Sequence, residues 1–183
     1  MSRKNKREHT SDQLPKLGIQ PYLDLMEKTA LQNTDRKLAH LGLLMLWLGD
    51  NAIDAIDLNL ETFGITESKW DVLLLLTLHE DRELITPSSL ADRLGIRRAS
   101  VTALLDWLEK RHWIIREQST LDGRKIHVKI TQEGRELVAR ALPVFWSACS
   151  SIMSELEEEE RMLLEKILMK LNRSMEEKMG VGR

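Results

Sequence analysis

Apolar residues recur at helical spacing along most of the chain, and the breaks between the stripes predict where its elements lie. Ile19 to Asn33 fit a short helix with Tyr22, Leu25 and Met26 on one side. From Asp35 onward Leu38, Leu41, Met45, Leu48, Ala52, Ile56 and Leu60 form one sustained stripe, and a helix that long needs a partner to bury it. Phe63-Gly64-Ile65 ends it, and Thr66 reads as the cap of a helix whose Trp70, Val72 to Leu76 and Leu78 leave almost no polar face, which places that helix centrally. Thr86 as N-cap and Pro87 at the first position open a short helix with Leu90, Ala91 and Leu94 inward, and Gly95 ends it. In the next helix, from Arg98 to Arg111, Val101, Leu104, Leu105 and Leu108 pack inward, which turns Arg98, Ala99, Thr102, Ala103 and Asp106 outward.

After Trp113 the period changes to alternation. Ile114 to Glu117 and Ile126 to Ile130 flank a tip containing Asp122-Gly123, a hairpin signal, and Leu84-Ile85-Thr86 supply a short strand beside it. Thr131 with Glu133 opens a further helix with Leu137, Val138, Ala141, Leu142, Phe145, Cys149 and Ile152 at helical spacing, and Pro143 is expected to kink it. The acidic run Glu157 to Glu160 suits another helix start, followed by a stripe of Leu164, Ile167, Leu168, Leu171 and Met175.

Two helices joined by a glycine turn form a helix-turn-helix, and a charged hairpin beside it is a wing. The expected fold is mostly α, a winged helix-turn-helix with a small β-hairpin, plus long N- and C-terminal helices that bury their apolar faces across a two-fold axis. Four segments follow: a flexible basic arm over 1–18, an N-terminal helical dimerisation part over 19–63, the winged module over 64–131, and C-terminal dimerisation helices over 132–183. A dimer of this kind places two recognition helices about one DNA turn apart, roughly 34 Å.

The second helix of such a unit lies in the major groove with its N-terminal residues at the base edges, which here are Arg97, Arg98, Ser100 and Thr102. Ser88 and Ser89, near a helix start, are expected to hold phosphate. The hairpin tip projects Arg124 and Lys125, and a narrow minor groove attracts an inserted arginine. Asp122 stands two residues away, where it can hold that guanidinium by a charge-assisted bond. Charge is distributed accordingly. The whole chain carries a net charge of -2, yet between Pro87 and Thr131 nine basic side chains face five acids. That stretch, which is expected to meet phosphate, therefore carries a net charge of +4 in a chain whose remainder sums to -6.

The run from Leu90 to Val138, LADRLGIRRASVTALLDWLEKRHWIIREQSTLDGRKIHVKITQEGRELV, resembles the winged core of the MarR (multiple-antibiotic-resistance regulator) family of bacterial transcription regulators. The Asp122-x-Arg124 tip and the Thr131-Gln132-Glu133-Gly134 helix start carry most of that likeness, which covers about fifty residues. It implies a homodimer on double-stranded DNA at a pseudo-palindromic operator, released by a small aromatic or lipophilic effector or by oxidation of a cysteine. It also implies Arg124 as the minor-groove arginine and Arg98, Ser100 and Thr102 as major-groove readers. Two positions depart from the family: Arg97 precedes the recognition helix where serine is frequent, and Ala103 replaces a frequent groove-facing arginine. The operator therefore cannot be carried over.

Other chemistry finds no motif. GxGxxG, Walker, HExxH, CxxC and GxSxG patterns are absent, and His9, His40, His79, His112 and His127 have no metal-ligand spacing, so neither an enzyme nor a cofactor is expected. The lone Cys149 excludes an internal disulfide and fits a reducing cytosol; it sits on an apolar helix face rather than in the first long helix, where thiol-sensing members of the family carry theirs. Residues 1–30 lack a secretory pattern, and the run Leu41 to Gly49 is far short of the ~20 residues that span a bilayer, so a cytoplasmic protein with no membrane partner is expected. His40, Leu44 and Trp47 on the first long helix are candidates to line an apolar effector cavity between the dimer helices and the winged module. Two further classes stay open: a winged module that binds an acidic protein partner, and a DNA-binding protein without sequence preference.

Overall fold

The computed structural model describes residues 17–80, 85–118 and 125–179. The basic arm up to residue 16, the wing-tip pair Asp122 and Arg124, and Leu84 lie outside the described residues. The fold is mostly helical: α1 (Gln20–Thr29), α2 (Arg36–Leu60), α3 (Glu67–Leu78), α4 (Pro87–Leu94), α5 (Arg98–Glu109), strands β1 (Ile114–Gln118) and β2 (Ile126–Ile130), α6 (Gln132–Ile152) and α7 (Glu158–Met179). The chain divides into two compact units, one ending at Asn51 and one beginning at Ala52.

In the first unit α1 packs on the first part of α2 through Tyr22 and Trp47, whose rings lie 5.2 Å apart. Asp35 starts α2 by accepting the N–H groups of Lys37 and Leu38 at 3.0 and 3.1 Å. The first half of the α2 stripe is exposed at Leu38, Leu41, Met45 and Leu48, whereas its end is covered, with Leu60 fully buried and Ile56 packed on the same core.

The core of the second unit forms around α3. Trp70, Val72, Leu73 and Leu76 of that helix are buried against Leu90 of α4, Val101, Leu105 and Leu108 of α5, and Leu137 and Val138 of α6. The expectation of a central, nearly all-apolar helix is met, although Leu78 at its end is exposed. The cap differs from the expected one. The Thr66 side chain makes no cap bond and instead accepts from Lys69 Nζ at 3.0 Å, while Asp57 of α2 accepts the N–H of Glu67. A carboxylate brought in by the preceding helix has taken the place of the local hydroxyl.

β1 and β2 pair antiparallel from Ile114 opposite Ile130 to Gln118 opposite Ile126. The N–H of Val128 also donates to the Ile85 carbonyl at 2.8 Å, so Ile85 lies beside the hairpin, but Ile85 and Thr86 do not form the expected strand and the described sheet has two strands. Between α5 and β1 the chain turns at His112, which has φ of 60°. Its carbonyl accepts the Thr131 hydroxyl at 2.6 Å, and Thr131 in turn caps α6 by accepting the Gly134 N–H at 3.0 Å. Pro143 lies inside α6, which runs on to Ile152. No residue of α7 is buried, and its Leu163, Ile167, Leu168 and Leu171 are exposed.

Candidate nucleic-acid interface

The expected reading surface begins where α4 ends. Gly95, with φ of 65°, closes that helix in the left-handed region that glycine enters without strain. Three residues later α5 starts, with Arg97 extended at its N-cap. Because Val101, Leu105 and Leu108 are fully buried, the rotation of α5 is fixed. Arg97, Arg98, Ser100, Thr102 and Ala103 are all exposed along its N-terminal half, with Ser100 and Ala103 at the edge of a pocket shared with Lys69 and Trp107. Thr102 Oγ1 donates to the Arg98 carbonyl at 3.1 Å, which holds its hydroxyl oxygen at the helix surface with lone pairs still available.

The two serines of α4 are not equivalent. Ser89 completes a capping box: its N–H donates to Thr86 Oγ1 at 3.1 Å, and its Oγ accepts the Thr86 N–H at 2.9 Å. Its side chain is thus held at the helix start. Pro87 has no N–H, so the donors of the first turn fall to Ser88, which is half-buried. Lys125, at the first described position after the hairpin tip, is exposed.

Sequence patterns missed a lock between α5 and β1. Arg116 of β1 donates from Nε to Glu109 Oε2 at 2.9 Å and pairs through Nη2 with Glu109 at 2.5 Å and Asp106 at 2.7 Å. Its backbone N–H adds a bond to Glu109 Oε1 at 3.0 Å. The hydrogen bond from Arg116 is the main reason that the Glu109 carboxyl is held below its ordinary range, against the opposing effect of desolvation. The signal was the i, i+3 acid pair at 106 and 109 on α5, followed by an arginine just into the alternating run. Trp107 stacks edge-on with Trp113 at 5.6 Å, and Arg111 and Lys69 lie 3.4 and 4.5 Å from its ring centre. Trp70 is buried against Phe145, whereas Trp146 is mostly exposed.

His40, Leu44 and Trp47 fall on one face of α2; His40 and Trp47 are half-buried and Leu44 is exposed. A shallow apolar groove in the same unit is lined by Tyr22, Leu25, Met26, Ala39, Leu43 and Leu46, beside those three rather than among them. Burial raises the Cys149 thiol above its ordinary pKa, opposite to the shift a reactive thiolate needs. Among the described residues no group of His, Cys, Asp and Glu is placed to hold a metal, and no helix is long and apolar enough to cross a membrane.

Residues 63–125 match the model of the MarR family. Over 105 residues, 57% of this chain, the sequence is 34% identical to the HTH-type transcriptional repressor YetL of Bacillus subtilis. It is 36% identical over 112 residues, 61% of this chain, to the transcriptional repressor MprA of Escherichia coli. These alignments span 62% and 63% of the two relatives, less than two thirds of either. Among solved structures, wild-type MarR of E. coli in its apo form superposes with a TM-score of 0.65 at 23% identity, covering 72% of this chain and 95% of that one. The Staphylococcus aureus MepR–DNA complex superposes with a TM-score of 0.63 at 26% identity, covering 73% and 96%.

Proposed function

We propose, from the match of residues 63–125 to the MarR family model, that the chain is a homodimeric, sequence-specific repressor of transcription that binds a pseudo-palindromic operator. The observation that carries this reading is the start of α5, where the buried Val101, Leu105 and Leu108 turn Arg97, Arg98, Ser100, Thr102 and Ala103 outward together. In the proposal Arg98, Ser100 and Thr102 meet base edges in the major groove. Ser88 holds a phosphate, and Arg124 with Lys125 enters the minor groove, with Asp122 supporting the arginine. The matched relatives named as repressors, and the solved MepR complex with DNA, support the same reading.

A second copy of the chain is the proposed cover for the exposed apolar stripes of α2 and α7, which are too extensive for an isolated helix surface. A small aromatic or lipophilic effector is proposed on the α2 face of His40, Leu44 and Trp47, acting by binding the released dimer more tightly than the DNA-competent one. The protein is proposed to work in the cytoplasm.

Selection from a random duplex library near physiological salt, with Arg124→Ala in parallel, tests the proposal. Enrichment of two half-sites ~10 bp apart, weakened in the variant, is the expected result. Absence of any enriched sequence would overturn specific regulation.

A further inference from the structure

β1 is held to the rest of its unit unevenly. Ile114 at its start is fully buried, whereas Ile115, Glu117 and Gln118 are exposed. β2 is anchored through the buried Val128 and Ile130 and through the bond from the Val128 N–H to the Ile85 carbonyl. Among the described residues, Arg116 is the only side chain of β1 that bonds to a helix, and that helix is α5. Both oxygens of Glu109 take part, one accepting the Arg116 backbone N–H and the other the guanidinium. The carboxylate therefore sets the angle of the strand as well as its distance.

Asp106 adds a second reason for the tie. It is exposed on the outward side of α5, where a bare carboxylate would repel phosphate, and Arg116 Nη2 neutralises it at 2.7 Å. The guanidinium is committed to these two acids, with the Arg116 side chain only a quarter exposed. It is placed to brace the hairpin rather than to reach a duplex. We propose that Glu109 and Arg116 are positioning residues for DNA binding, which hold the hairpin at the angle where it and α5 meet one duplex together, and that neither touches DNA. The inference rests on the proposed use of α5 and the hairpin on a single duplex. Without the tie both contacts can still be made, but the hairpin must then be ordered at the moment of binding, which weakens it.

The test titrates the selected duplex, and a scrambled duplex of the same length, into full-length Glu109→Ala, Arg116→Ala and the double variant over a series of salt concentrations. Circular dichroism confirms that each is folded at the temperature used, since a role in stability alone leaves the affinity of folded protein unchanged. Glu109→Ala supplies the decisive sign. It removes a negative charge from α5, so charge alone predicts tighter binding, whereas positioning predicts binding weaker by about threefold to tenfold. Glu109→Gln keeps the shape of the side chain without its charge, and as the milder change it is expected to weaken binding in the same direction. Arg116→Ala is expected to match Glu109→Ala with its salt slope unchanged, because loss of a direct phosphate contact lowers that slope by about one. The double variant is expected to be no weaker than either single one, as two residues acting through one bond require. Tighter or unchanged binding by the two Glu109 variants, a reduced slope in Arg116→Ala, or additive losses in the double variant would each overturn the positioning role. Failure of base reading shows instead in the parent, as equal binding of selected and scrambled duplexes, and the variants are then compared on either. A parent that binds no duplex overturns both.

Discussion

Gly134→Ala sets helix propensity against a steric contact, and the structure decides the sign. Within a helix, alanine is favoured over glycine by about 1 kcal/mol. At Gly134, however, a Cβ would stand 2.2 Å from the Trp113 carbonyl oxygen and 2.8 Å from Ile130 Cγ1. The first contact is with backbone, so no rotamer change relieves it, and the start of α6 must retreat by roughly 1 Å to reach ordinary contact. That movement opposes three bonds at the same junction: Thr131 N–H to the Trp113 carbonyl at 3.0 Å, Thr131 Oγ1 to the His112 carbonyl, and the Gly134 N–H to Thr131 Oγ1. At about 1 kcal/mol each, their weakening costs about 3 kcal/mol, and the net loss is about 2 kcal/mol. For a chain of this size the melting temperature then falls by about 4–8 °C. Thermal unfolding followed by circular dichroism measures it, with Gly49→Ala as the control. A Cβ at Gly49 meets nothing within 4 Å, so the propensity gain acts there unopposed. A Gly134→Ala protein as stable as the parent, or more so, would refute the reasoning.

Arg116→Ala removes the bonds to Asp106 and Glu109 at side chains about a quarter to over a half exposed; solvent screening brings the loss to about 1–2 kcal/mol at neutral pH. Because the Glu109 pKa is depressed in the fold, this stability is present above the usual carboxylate range and fades as pH falls through the folded value. Parent and variant melting curves should therefore differ at pH 7 and converge in acid; a gap that persists in acid would contradict the assignment. Cys149, with its thiol pKa raised by burial, should react with iodoacetamide at pH 7 more slowly than a free thiol, as mass spectrometry can follow; equal rates would mean that it is accessible and activated.

Much of the candidate surface on α5 was legible because its cause is local. Gly95, the capping Thr86-Pro87 pair and the spacing of Val101, Leu105 and Leu108 each act within a few residues, and together they set which side chains of α5 face outward. Partners brought together by the tertiary fold were not legible. Nothing near Thr66 announces that Asp57 will take the cap, since that depends on how α2 ends. Ser89 reads as a phosphate ligand until its role in closing the capping box is seen. His127 looks like one more alternating strand residue, and the burial of its Nδ1 without a hydrogen-bond partner among the described residues follows only from the packing of the hairpin.

The claim that the exposed start of α5 reads bases is tested most directly by the affinity of Arg98→Ala for the selected duplex and for a scrambled duplex of the same length. The account predicts a loss of about 1–3 kcal/mol on the selected duplex and a much smaller change on the scrambled one. An equal loss on both would make Arg98 a phosphate contact, and no loss on either would remove α5 from recognition.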